Sequence, residues 1–464
     1  MEQSSRGYQP TGDLMERELD GRRPAAWPSL CSVAGGWGGL YVGMGSRGHL
    51  FSPPESQMLV LGPPRSGKSS AVVIPNVLVA PGPVIFTSTK LDVAKTVLAA
   101  RKRRGRVWCF DPTGAATLEG VSQMGWSPLG FSADWDGAVA MAHSMVATAV
   151  PARGTLEASH WQERAEALLA PLLHAAALGR ATMREVVSWV LCHEVGEAAD
   201  LLRRSEADLA GEVLEQIAAT EARERSAIFS TTAEVLAAYR SKSVLEVTEL
   251  GGPDPDAFLD SADSIAVAAP SFDQALYAPL VVGLIEQFRQ AAYRRWARVG
   301  GGALPLLLAL DEAANIAPLP QLASVASEGA SQGIALLVCL QDLSQARQRW
   351  RGAAEGFFSL FGAKLLLPGI GDLATLEAIS SLAGEEEVRA PAAGHNRGGR
   401  FSFRNRSQHA QASTRRQKRL SVAEVADGPA GSALYMEGTK ISRVQLTPWF
   451  STEPWRLLAG IEPL

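Results

Sequence analysis

The sequence predicts an α/β fold with a mostly parallel sheet, helices on both of its faces, and an all-helical insertion. Three observations lead there. Short apolar runs recur without polar alternation, helical patterns lie between several of them, and residues 130–254 carry no strand signal.

The N-terminal segment is polar and broken by Gly7, Pro10, Gly12 and Pro24, which predicts a mobile tail over 1–40. Within it, LCSVAGGWGGLYVGMG at 30–45 is too short and too glycine-rich to cross a membrane, so a short strand with turns is expected there. Buried strands are then expected at MLVL (58–61), VIF (84–86), VWCF (107–110), SIAVAA (264–269), LPLLLAL (304–310), IALLVCL (334–340) and KLLL (364–367). They assign 41–129 and 255–464 to the α/β domain. In the insertion, Ser159 with Gln162 predicts a helix start ahead of Ala165, Leu168, Leu169 and Leu172. Thr182 with Glu185 predicts a second start, and Pro171 predicts a kink or break in the first helix.

With 464 residues and a formal net charge of −4, the chain is long enough for two or three domains and does not coat nucleic acid by global charge. The four cysteines, Cys31, Cys109, Cys192 and Cys339, have no CxxC pairing, which suits free thiols in a reducing compartment. The neighbours His193 and Glu194 read as a solvated pair in preference to a metal site. No secretory leader and no membrane span are legible, so a cytoplasmic chain is expected.

Chemistry enters at Gly62, Pro63, Pro64, Arg65, Ser66, Gly67, Lys68, Ser69 and Ser70, which fit G-x-x-x-x-G-K-[ST] directly after an expected strand. In such a loop backbone amides wrap phosphates, Lys68 reaches the terminal ones, and the Ser69 hydroxyl ligates magnesium. ATP and Mg2+ are the expected cofactors. Asp311 and Glu312 follow the run at 304–310, where Asp311 can hold the magnesium and Glu312 can orient the attacking water. Gln341, after the run at 334–340, can register the terminal phosphate.

With these elements in order, the chain resembles the TraG/TraD/VirD4 family of conjugative coupling ATPases of type IV secretion systems. The pieces are LYVGMGSRG, LVLGPPRSGKSSAVVIPN, VIFTSTKLD, VWCFDPTG with WSPL, LDEAANIAPLP, LLVCLQDLSQARQRW, KLLLPGIGDLATLEAISSLAG and GSALYMEGTKISRVQLTPW. The resemblance implies a RecA-like P-loop NTPase domain with an inserted all-α domain. It also implies a homo-hexameric ring and substrates that are DNA carrying a relaxase, or secreted proteins, delivered to the secretion channel. Lys68, Ser69, Asp311, Glu312 and Gln341 match the family's site. Two departures stand out. Relatives carry N-terminal membrane helices, so a separate anchoring subunit or a peripheral position at the inner face of the membrane is expected here. Relatives also often carry an arginine where this chain has Ala330, and Arg347, Arg349 and Arg351 are the candidate substitutes for it.

Two basic stretches remain. Arg101, Lys102, Arg103, Arg104 and Arg106 read as a helix end, where positive charge is favourable, with a pore-lining patch as the alternative. Residues 389–419 hold nine Lys or Arg and no acid. That stretch predicts a mobile basic loop in which Arg397, Arg400, Phe401, Phe403, Arg404 and Arg406 contact DNA, single-stranded by the stacking logic, with an acidic protein partner or a disordered loop as the alternatives. Three functions are consistent with all of this: a DNA-moving coupling ATPase, a nucleotide-dependent docking adaptor with little hydrolysis, and a HerA-like DNA motor outside secretion.

Overall fold

The computed structural model describes residues 37–460 except Arg47, Lys90 and residues 115–117, 150–155, 270–272, 301–302 and 391–412. The strands in chain order are β1 (Tyr41–Gly45), β2 (Gly48–Phe51), β3 (Met58–Leu61), β4 (Val84–Ser88), β5 (Val107–Phe110), β6 (Ser122–Gln123), β7 (Ser264–Ala268), β8 (Leu306–Leu310), β9 (Ile334–Leu340), β10 (Ala363–Leu366), β11 (Glu385–Ala390), β12 (Ser413–Lys418), β13 (Ser432–Glu437) and β14 (Lys440–Gln445). Twelve of them form one sheet in the order β2-β1-β14-β13-β10-β3-β9-β8-β4-β7-β5-β6. The block from β10 to β6 is parallel throughout, whereas β13, β14, β1 and β2 extend it antiparallel.

Every residue of β3, β4, β7, β8, β9 and β10 is buried, which explains the missing polar alternation. Successive residues simply face different cores. Leu59, Leu61, Ile85 and Leu308 look toward the insertion, while Met58, Val60, Phe86 and Leu307 look toward the helices Ile74–Val79 and Asp92–Arg104. Leu40, at the end of the expected tail, is buried in the second of these cores.

Among the described residues, the insertion contains helices at Trp135–Ala149, Leu156–Gly179, Met183–Cys192, Gly196–Arg204, Asp208–Ala218, Ala222–Val235 and Lys242–Glu249, and no strand. It does not keep a core of its own. Met141, Leu169, Phe229 and Val244 belong to the same apolar cluster as the sheet residues Leu59 and Leu308. Helix Trp135–Ala149 lies on helix Gln274–Val299, which returns from β7. There Gly283 lets Trp126 approach to where a Cβ would be 2.4 Å from the indole, and Trp126 Nε1 donates to Gln287 Oε1 at 2.7 Å.

Several expectations need correction. Helix Leu156–Gly179 starts three residues before Ser159 and runs unbroken through Pro171. Its flanks at Leu168, Leu169, Leu172 and Leu173 are fully buried, and packing of that kind can hold a helix across one missing amide. Thr182 behaves as expected, its amide donating to Glu185 Oε2 at 2.5 Å and its hydroxyl at 3.0 Å. The pair His193–Glu194 is exposed, as expected of a solvated pair, and His193 also closes its helix at φ +56° and stacks on Phe229 with ring centroids 4.6 Å apart.

The basic run at 101–106 does end a helix, but Arg101 is neither solvated nor pore-facing. It is fully buried: Nε donates to Ser264 Oγ at 2.7 Å, Nη2 to the carbonyls of Gly82 and Ala262 at 2.8 Å, and Nη1 to that of Ala80. Its charge is spent on carbonyls at the edge of the sheet where the strands begin. The basic stretch 389–419 is likewise narrower than expected. Residues 389–390 and 413–418 are strand, in the β11–β12 hairpin, where Arg416 lies opposite Glu387 and Lys418 opposite Glu385. The acids just upstream, at 385–387, pair with part of the basic run. Arg397, Arg400, Phe401, Phe403, Arg404 and Arg406 lie outside the described residues.

Candidate functional site: a phosphate loop facing an acidic strand end

β3, β9 and β8 are adjacent and parallel, so their C-terminal ends bring three distant segments to one edge. The loop after β3 starts with Gly62, whose amide donates to Leu340 O at 3.2 Å. A Cβ on Gly62 would sit 2.8 Å from both Leu367 Cβ and Ser66 Oγ, so this turn closes only around glycine. Arg65 and Gly67 take positive φ of 64° and 100°, which curls the loop back on itself. Lys68 is 5% exposed, and its Nζ donates to Gly62 O at 2.5 Å and Pro63 O at 3.0 Å. The helix that follows opens with a wide π-type turn at Ser69–Val73 before Ile74–Val79. Ser66 Oγ is buried in the loop without a hydrogen-bond partner, an orphan that a phosphate oxygen would satisfy.

The Ser69 hydroxyl donates to Asp311 Oδ2, which ties the loop directly to the end of β8. Thr87, on β4, holds the Asp311 carbonyl through its hydroxyl at 2.7 Å. Burial raises the Asp311 carboxyl above the usual range, with the Ser69 hydroxyl and the Lys68 charge opposing it. Burial also raises Glu312, against Lys68 and with Asp311 adding to the rise. Glu312 sits at φ +50°, a left-handed conformation uncommon for a non-glycine residue and concentrated at functional sites. Its carboxylate accepts from Asn315 Nδ2 at 3.3 Å, and the Gln341 carboxamide lies near enough to work with it against the rise. Gln341 thus meets Glu312 from the neighbouring strand, and its own amide donates to Gln345 Oε1 at 2.9 Å.

The donor set fits a nucleotide with one divalent cation: loop amides and a buried ammonium for phosphates, then a hydroxyl beside a carboxylate for the metal. Magnesium usually takes only one or two protein ligands, and among the described residues there is no cluster of three or more His, Cys, Asp or Glu. Sequence reasoning missed Thr87, Asn315 and Gln345. Asn315 had a usable signal, three residues after Glu312 at the first turn of a helix, and so had Gln345, four after Gln341; Thr87 had none, since only strand order reveals it. Beside Glu312 a groove of about 700 Å3 is lined by Asn315, Gln345, Gln348, Arg349 and Gln274 among others.

The candidate arginines have other engagements. Arg347 Nη2 contacts Asp372 Oδ2 at 2.6 Å, and Arg349 Nη2 donates to Thr148 O at 2.8 Å, the latter in helix Trp135–Ala149. Arg351 is exposed at φ +48°. Ala330 lies in the 3-10 turn Gly329–Gln332 that leads into β9.

The molecule has the fold of RecA-like P-loop NTPases with an inserted all-helical segment. The chain belongs to the type IV secretory system conjugative DNA transfer family, whose model matches residues 3–421. Among solved structures it is similar to the bacterial conjugative coupling protein TrwBdeltaN70, with a TM-score of 0.64, 18% identity and 85% of each chain covered. The plasmid coupling protein TrwB in complex with ADP and Mg2+ gives a TM-score of 0.63 at 18% identity, with 88% of each chain covered. VirB4 of Thermoanaerobacter pseudethanolicus gives 0.51 at 14% identity over 90% of this chain and 98% of that one. A search of the curated proteins finds no match. Among the described residues, no helix is long and apolar enough to cross a membrane.

Proposed function

We propose that this chain is an ATP-hydrolysing coupling protein, which recruits or moves relaxase-bound DNA in conjugation and delivers it to a type IV secretion channel. The observation that carries the reading is the Ser69–Asp311 hydrogen bond, which brings the phosphate loop and the acidic strand end within one metal's reach. When bound, MgATP supplies the phosphoanhydride to be cleaved and the cation that neutralises its charge. The loop amides and Lys68 hold the phosphates, Ser69 and Asp311 take the magnesium, Glu312 orients water and accepts its proton, and Gln341 reports the terminal phosphate to Glu312. A cation held by Ser69 and Asp311 would also oppose, by its charge, the rise that burial gives the Asp311 carboxyl. As in the family resemblance, the working form is a hexameric ring at the inner face of the membrane, with single-stranded DNA met by the basic stretch.

ATP turnover of the purified chain, with and without single-stranded DNA and beside its mass in solution, tests this. DNA is expected to raise the rate, and Lys68→Ala and Glu312→Gln each to lower it by about a hundred-fold or more. Glu312→Gln should still bind ATP. The rival reading is a docking adaptor with little hydrolysis, favoured by Ala330 together with the engagement of Arg347 and Arg349 within the chain. A low rate that DNA leaves unchanged would establish the adaptor instead.

A further inference from the structure

In the site just proposed, Asp311, Glu312 and Gln341 all lie on the β8 and β9 side of β3, so the terminal phosphate faces that side. A nucleotide laid along the loop in this sense carries its nucleoside out on the opposite side of β3, where β10, β13 and β14 continue the sheet. The chain leaving β14 arrives there. Leu446 N bonds Gly431 O at 2.7 Å, Thr447 Oγ1 meets the Tyr41 hydroxyl at 2.8 Å, and the backbone amide of Trp449 donates to Ser70 O at 2.9 Å. Ser70 directly follows Ser69 in the first turn after the phosphate loop.

The pinned segment presents two aromatic rings. Trp449 is half-buried against the core beneath the loop's helix, while Phe450 is 51% exposed. Their rings meet edge to face, with centroids 5.8 Å apart and planes at 86°. The backbone is fixed on both flanks, Ser451 N bonding Pro448 O at 2.9 Å and Arg456 Nη1 bonding Phe450 O at 3.0 Å. An exposed phenyl ring on so tightly held a segment contributes little to folding. It does offer a flat apolar surface beside the mouth of a phosphate site.

We propose that Phe450, braced edge-on by Trp449, forms the nucleobase platform of this site and takes the base of the nucleotide by stacking on its ring. The proposal rests on the phosphate-loop reading above. Stacking engages the π-face, which every base has, and not the hydrogen-bonding edge, so the platform accepts adenine and guanine about equally.

Calorimetric titration of the full chain with ATP, GTP and inorganic tripolyphosphate, each with magnesium, tests the idea. Phe450→Ala and Trp449→Ala are expected to weaken ATP and GTP by about ten-fold or more while tripolyphosphate stays within about two-fold, and Trp449→Phe to retain most of the affinity. Should Trp449→Ala fail to fold, the exposed Phe450 carries the test alone. Equal weakening of tripolyphosphate and ATP would mean a structural role and overturn the platform, as would alanine variants that bind ATP like the parent. A parent chain that binds none of the three ligands would instead bring down the phosphate-loop reading itself.

Discussion

Arg101 and Asp372 show how single polar groups hold the site's frame. Arg101 stitches the helix end to carbonyls near the starts of β4 and β7, so its removal leaves several buried acceptors without a donor. Arg101→Ala is expected to cost about 3 kcal/mol or more in urea denaturation, whereas the neighbouring exposed Lys102→Ala should stay within about 0.5 kcal/mol. Asp372 caps the helix Leu373–Leu382, accepting from Thr375 N at 3.0 Å and from Arg347 at 2.6 Å. Burial works against its charge, but Thr375 and Arg347 outweigh it and leave the carboxyl below the usual range. Stability from a depressed carboxylate is complete above the unfolded value, about 4, and is lost as pH falls through the lower folded one. Asp372→Asn should therefore destabilise by about 1 kcal/mol at pH 7, with the gap to the parent closing as the pH drops below about 4. Denaturant melts at pH 7 and pH 3 check it; a pH-independent difference would contradict the assignment.

At the scale of elements, the parallel strands were legible because each is apolar on both faces, and IALLVCL matches β9 residue for residue. The hairpin β13–β14 escaped notice for the opposite reason: β14, KISRVQ, is largely solvent-facing, so its pattern is that of an ordinary surface segment. The acidic pair and the loop were readable from spacing, yet the approach of Gln341 to Glu312 depends on strand order, which spacing does not encode. Pro171 does not break its helix, because local propensity yields to packing around a long buried helix. The close passage of Trp126 over Gly283 is another feature no periodicity reveals. Gly283→Ala should cost about 1 to 3 kcal/mol, since the added methyl meets the indole ring, and near-ultraviolet circular dichroism should report a changed Trp126 environment. Unaltered stability would mean that helix and indole separate more easily than their packing implies.

Across the whole molecule, the insertion and one sheet face share a continuous apolar cluster, so the two layers are expected to unfold together. Scanning calorimetry should give a single transition whose calorimetric and van't Hoff enthalpies agree, and two resolved peaks would show independent domains. A second whole-molecule property follows from where the sheet stops. One margin is β6, of two residues, and the other is β2, of four residues starting at a positive-φ glycine. Neither offers a ribbon long enough for another subunit to zip onto, which protects so broad a sheet from growing into fibres. If copies of this chain assemble as proposed above, the two margins of the large sheet would join them only through side chains and loops, contacts that can slide or rock without breaking a ladder of backbone hydrogen bonds.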